Sequence, residues 1–250
     1  MSDTESTQSN STQSTTTKPA SQTFPLAYPP PQKNGLRLSS RLILQIQQLN
    51  STQQRALPIL DIYQPSIWGK SVGKRRKLTN RDIYIAQTES YAHLPGDDAK
   101  TPNTNAHVVG AVYTPVREGT GRVCFPFGER EWEVSSGEKG YRFVCAESGR
   151  VVEWEKRGSR PSSSGSGNEA KGERFALRIA DSKQSALRRS WLATMTKKGL
   201  KVGGWDRVQR DYLLSALGVK DGDEDAALYT CCLTMGVYVA SQEGWLNQYV

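Results

Sequence analysis

Histidine is nearly missing from this chain: His93 and His107 are the only two in 250 residues. Most imidazole chemistry goes with them. Neither sits in a HExxH or HxH setting, both lie near Pro, Gly or Asn, and no Gly-x-Ser-x-Gly elbow supplies a nucleophile. Cysteine is also scarce. Cys124, Cys145, Cys231 and Cys232 form no CxxC, and an adjacent pair such as Cys231-Cys232 seldom makes a useful bridge. Neither a metal site nor a disulfide framework is expected, which suits a reducing compartment. Cys124 and Cys145 fall in strand-like runs where a free thiol acts as a small apolar group. A Cys124–His107 dyad stays open only as partners that would have to meet in space. Gly69-Lys-Ser71 resembles the end of a phosphate-binding loop, but Gln64 stands where that loop needs glycine. No catalytic residue and no cofactor is therefore assigned.

Long hydrophobic runs are lacking too. The longest charge-free apolar stretch, Ala226 to Gln242, is about 17 residues and contains Thr230, Thr234, Gly236 and Ser241. Spanning a bilayer takes about 20. Acidic residues flank it on both sides, without the basic asymmetry of an anchor. Burial inside the protein is expected, and no transmembrane span. The N-terminus has no basic and apolar regions of a secretory signal and little arginine, so the chain is expected to begin in the cytosol.

What is present begins with a tail. Met1 to Asn34 is dominated by Ser, Thr, Gln, Asn and Pro, too polar to offset its ordering entropy, and is expected to be disordered. Its end, Phe24 to Pro31, reads as an extended, polyproline-like spacer. The tail's charges, Asp3, Glu5, Lys18 and Lys33, cancel, so the whole surplus of +8 lies in residues 35–250. Such a basic domain suits an anionic partner: nucleic acid, acidic protein or anionic lipid head groups. Scattered Lys and Arg are equally what an ordinary soluble surface carries.

From Leu36 onward the chain alternates. Leu42, Leu44 and Ile46 keep period two, and Leu57–Tyr63, Asp82–Ala86 and His107–Tyr113 are further short apolar runs. Gly121–Phe127, Arg130–Val134, Tyr141–Cys145 and Arg150–Glu155 follow, rich in β-branched and aromatic residues and separated by Gly-bearing turns. This pattern predicts a meander of antiparallel strands. A Ser/Gly-rich stretch, 157–173, reads as a flexible insertion between two strands. Phe175–Ile179 and Leu200–Trp205 resume the strand pattern, and Leu187–Met195 fits helix or strand. Val208 to Leu217 has helical spacing and stops at Gly218. The last element, from Asp225 to Ala240, is apolar nearly all round, as a deeply buried helix would be.

Short strands closed by an all-apolar C-terminal helix resemble the tubby C-terminal-like superfamily, which includes LURP-one-related proteins and phospholipid scramblases. The residues that carry the resemblance are Phe127-Gly-Glu-Arg-Glu-Trp-Glu-Val134, Tyr141-Arg-Phe143, Arg150-Val-Val-Glu-Trp154 and the closing helix. The likeness spans roughly residues 36–245. It implies a mainly β (α+β) fold: an antiparallel β-barrel around the apolar C-terminal helix, occupying 35–250 behind the disordered tail. It also implies a non-enzymatic module that binds anionic phospholipid or a protein partner at a membrane surface. No family site residue has a match that can be placed here. Physics favours the same arrangement, since a closed barrel removes sheet edges but needs filling, and an apolar helix needs a dry place.

One basic cluster remains: Lys70, Lys74, Arg75, Arg76, Lys77 and Arg81, with Arg188, Arg189, Lys197, Lys198 and Lys201 further on. Lys74–Lys77 is short enough to be a nuclear import signal, a phosphate-binding patch or a solvated loop. The alternative function is accordingly nuclear regulation or nucleic-acid association, although no helix-turn-helix, zinc finger or RNA-binding motif supports it. Cytoplasm, nucleus and the membrane periphery are the compartments these readings imply.

Overall fold

The computed structural model describes residues 21–30, 38–50, 55–72, 76–88, 107–115, 119–158, 173–180, 191–219 and 223–246. Its strands are β1 (Gln22–Ala27), β2 (Arg41–Asn50), β3 (Arg55–Gln64), β4 (Ile83–Gln87), β5 (His107–Tyr113), β6 (Gly121–Phe125), β7 (Arg130–Gly137), β8 (Gly140–Cys145), β9 (Val151–Arg157), β10 (Arg174–Ile179), β11 (Ala193–Thr196) and β12 (Gly199–Val202). Helices α1 (Arg207–Leu217) and α2 (Glu224–Gln242) follow. Each strand pairs antiparallel with its sequence neighbours, and β1 pairs with β12, so the sheet closes into a twelve-stranded barrel. Strand direction alternates around the ring. The β3–β4 connection and the β11–β12 turn therefore leave the barrel at the same end.

Side chains alone fill a barrel of about eight strands, and diameter grows with strand number. Twelve strands leave a lumen close to the width of one helix, about 10 Å. Helix α2 occupies it: 15 of its 19 residues are buried, and only Glu224, Asp225, Tyr229 and Gln242 reach toward solvent. Asp223 caps its N-terminus by accepting from the amides of Asp225 and Ala226. Gly236 gives room to the wall, since a Cβ there would lie 2.5 Å from Leu200 Cδ2. Around it Trp132, Val134, Phe143, Val152, Trp154, Phe175 and Leu177 point inward, all essentially inaccessible. Burying one such side chain is worth about 1.5–3 kcal/mol. Helix α1 packs against α2, started by a reciprocal cap between Asp206 and Gln209 and stopped by Gly218 in the left-handed region.

The outward positions of the same strands are charged. Arg142 pairs with Glu153 at 2.6 Å, Arg178 with Glu153 at 3.0 Å, and Arg122 with Glu131 at 3.1 Å. Such half-exposed pairs add little stability. They mark the outer face of β6–β10 as water-facing, the reverse of a lipid-facing strand, which is apolar outside. No described helix is long and apolar enough to cross a membrane. The mainly β class, the antiparallel barrel and the buried C-terminal helix are as the sequence implied.

One boundary needs correction. Gln22–Ala27 falls within the stretch expected to be a disordered tail and spacer, yet it is the strand that closes the ring. Gln22–Pro25 pairs with β12, and only Leu26 and Ala27 pair with β2. Pro25, which has no amide hydrogen, pairs with Gly199 of β12 and precedes the residues that pair with β2. Phe24 is buried and packs on Tyr229 of α2, with ring centroids 5.6 Å apart. Residues 1–20 and 159–172, parts of the expected tail and insertion, lie outside the described residues, as does the ambiguous start of 187–195; its end is β11.

Candidate anion-binding surface

Strands β4 and β5 are buried on both faces, which explains their near-continuous apolar sequence. The inward side meets α2. Their outward side carries a second, smaller core of Tyr84, Val108, Ala111 and Tyr113, joined by Cys124 of the neighbouring β6 and covered by Val72 and Leu78 from the β3–β4 connection. That connection is thus a flap lying on the barrel's outer wall. It holds six basic residues, Lys70 to Arg81, against the single carboxylate of Asp82.

Asp82 pins the flap. Its side chain is 1% exposed. One oxygen accepts from the amide and hydroxyl of Thr79, at 2.7 and 2.8 Å, and the other from the amide of Thr114 at 2.9 Å. The Arg76 guanidinium lies 3.8 Å away. Two backbone bonds between Lys70 and Leu78 close the flap's neck. The Tyr113 hydroxyl donates to the Arg76 carbonyl at 2.9 Å.

The predicted basic residues divide by role. Lys70 lies over the Tyr84 ring at 4.9 Å, and Arg76 over the Tyr113 ring at 5.2 Å. Both spend part of their charge on attaching the flap. Lys77 and Arg81 are exposed on it. Lys197 and Lys198 form the exposed β11–β12 turn at the same end of the barrel, and Lys201 faces out of β12. Lys74, Arg75, Arg188 and Arg189 lie outside the described residues.

The Cys124–His107 dyad does not form. Cys124 is opposite Ala111 and beneath the flap, whereas His107 is four residues along β5 and opposite Gln87. That offset is about 13 Å of strand. His93 lies outside the described residues. Among the described residues no three potential metal-ligating side chains come together. A groove of about 380 Å³ runs over Ser135, Gly137, Gly140, Arg142, Glu153 and Arg178 on the outer wall. Its two arginines are already tied to Glu153.

Sequence reasoning missed the flap's corner. Ser66 to Gly69 is a β-turn closed by a 2.9 Å bond from the Gly69 amide to the Ser66 carbonyl, and its two central residues are Ile67 and Trp68. Trp68 is 68% exposed and Ile67 48%. An Ile-Trp pair inside a segment otherwise rich in Gly, Ser and Lys was the available signal.

No family model matches the chain, and neither a curated protein nor a solved structure proves similar to it. What the fold and surface define is a closed antiparallel barrel threaded by its own C-terminal helix and bearing a pinned basic flap.

Proposed function

We propose that this chain is a non-enzymatic, tubby-like binding module that engages anionic phospholipid at a membrane surface. The observation that carries the reading is the flap: Lys77 and Arg81 are exposed on a segment that Asp82, Tyr84 and Tyr113 hold against a rigid wall. Preset cations lose little conformational freedom on meeting an anion, so more of their attraction appears as affinity. Each Lys or Arg near an anionic leaflet is worth about 1 kcal/mol, screened by salt. Lys197 and Lys198, at the same end of the barrel, extend the positive field.

The test is cosedimentation with vesicles of phosphatidylcholine, with and without a phosphoinositide, over a range of salt. Selective, salt-sensitive binding that weakens about thirtyfold at low salt on changing Lys77 and Arg81 together to Gln is the expected result. These two leave the Asp82 and aromatic contacts intact. Equal binding by the neutralised chain overturns the role of the flap. Binding to duplex DNA but to no vesicle replaces the reading with a nucleic-acid one.

A further inference from the structure

The corner of the flap is chemically out of place. The central positions of β-turns favour Pro, Asn, Asp, Gly and Ser, because the chain reverses there in water. Here they hold Ile67 and Trp68, and neither contributes to either core. Single exposed apolar residues are ordinary, but two adjacent large ones at a projecting corner are not.

Their exposure is also fixed. Pro65 and Ser66 before the corner are buried. Gly69 after it has φ +71°, and a side chain there would collide with the Leu78 carbonyl, so only glycine allows this close return. Lys70 is then bonded across to Leu78. The corner cannot fold back onto the wall without breaking these contacts.

Beside it stands a cation. A Cβ on Gly69 would lie 3.1 Å from Lys77 Cε, which places the Lys77 stem against the turn. Trp flanked by Lys is the combination found where protein meets the head-group layer: the indole is amphipathic, and the ammonium meets phosphate.

We infer that Ile67 and Trp68 form a wedge that enters the interfacial layer of an anionic bilayer while Lys77 engages the phosphates; the inference rests on the lipid-binding reading above. The occupant is a bilayer surface and not a soluble head group, because an isolated phosphate offers nothing to an indole. The basic surplus of the flap supplies the charge complementarity, and the corner supplies the apolar contact. A single pair of side chains gives only shallow, reversible attachment, so charge and wedge are needed together.

The experiment uses the full chain with phosphatidylcholine vesicles containing phosphatidylserine, prepared with and without brominated acyl chains. Bromine quenches indoles that enter the bilayer. Trp132, Trp154, Trp205 and Trp245 are buried, and Trp191 is partly covered by Arg157, so Trp68 should dominate the quenched signal. Quenching that disappears in Trp68→Phe is expected. Roughly tenfold weaker binding by Ile67→Ala/Trp68→Ala, at an unchanged urea midpoint, is expected alongside it. Normal anionic-vesicle binding by that variant, with no Trp68 quenching in the parent, removes the wedge and leaves the electrostatic reading standing. A lowered urea midpoint assigns the corner to folding and also removes it. Absence of binding to any vesicle removes both readings and leaves the corner to a protein partner's pocket.

Discussion

The phenol of Tyr141, on wall strand β8, donates a 2.6 Å hydrogen bond to Oε1 of Glu243, the residue that ends the central helix. The other carboxylate oxygen accepts from Lys156 of β9 at 3.2 Å, and Lys156 also reaches Glu173 at 2.7 Å. Wall and helix, 102 residues apart in sequence, are latched at the rim. A hydrogen bond to a charged group is worth about 1.5–3 kcal/mol. Tyr141→Phe should lower urea-unfolding stability by about that amount, with the barrel otherwise intact. No loss would mean that the latch is incidental to holding α2 in place.

Stability should fall in alkali earlier than tyrosines alone would cause. Burial pushes the Cys232 thiol up to about 12, and burial together with Cys232 and Cys145 pushes Cys231 up as well. Burial pushes the Tyr238 phenol up to about 12. Groups that hold their protons more tightly when folded give full stability below their unfolded pKa, and that stability is lost as pH rises toward the folded value. Unfolded thiols titrate near about 8.5 and phenols near about 10. Stability is therefore expected to be flat to about pH 8.5 and to decline toward pH 12. Cys231→Ala/Cys232→Ala should lower the plateau but move the onset toward pH 10, as read from urea midpoints at each pH. An onset that does not move excludes the thiols.

Gly121 and Tyr238 are sterically coupled. A Cβ at Gly121 would come within 2.6 Å of the Tyr238 ring, which is itself wedged edge-on between Tyr141 and Phe143 at 6.0 and 5.5 Å. Gly121→Ala should cost about 1–3 kcal/mol through overpacking. Tyr238→Leu in the same chain should recover part of that cost, and a double-mutant cycle measures the coupling. Strict additivity would show that the wall relaxes instead.

Releasing the flap should expose one thiol. Asp82→Ala strands the amides of Thr79 and Thr114, at a cost of about 1–3 kcal/mol. Cys124 lies under the flap in the outer cluster, whereas Cys145, Cys231 and Cys232 line the main core. Native-state alkylation of Cys124 should accelerate at least tenfold in Asp82→Ala, while the other three stay protected. Uniform acceleration of all four would indicate global loosening, and the pinning role would fall.

The two helices were legible because their signals are local. Val208–Leu217 shows helical spacing and a glycine stop, and the structure gives Arg207–Leu217 with Gly218 in the left-handed region. The strands from Gly121 to Ile179 were legible for the same reason: Trp132, Val134, Phe143 and Trp154 alternate with charge, and each run is bounded by a turn. Strand β1 was not, because one buried phenylalanine between polar residues and prolines carries almost no periodic signal. Its order comes from two distant partners, β2 and β12.

The basic flap was visible as a run of Lys and Arg, but its division of labour was not. Spacing cannot tell that Lys70 and Arg76 lie over aromatic rings of β4 and β5 while Lys77 stays outside. The candidate dyad failed for a related reason: strand register, which no composition reveals, sets Cys124 and His107 apart.

By itself the sequence determined the secondary structure of the strongly patterned segments and the need to bury one apolar helix, because hydrophobic period and local capping act over a few residues. Only the tertiary structure decided how the ring closes through β1, where the β3–β4 connection lies on the wall, and which of its basic side chains face water. Those outcomes depend on contacts between residues far apart in the chain, such as Phe24 with Tyr229, whose free energy exists only once the barrel has formed.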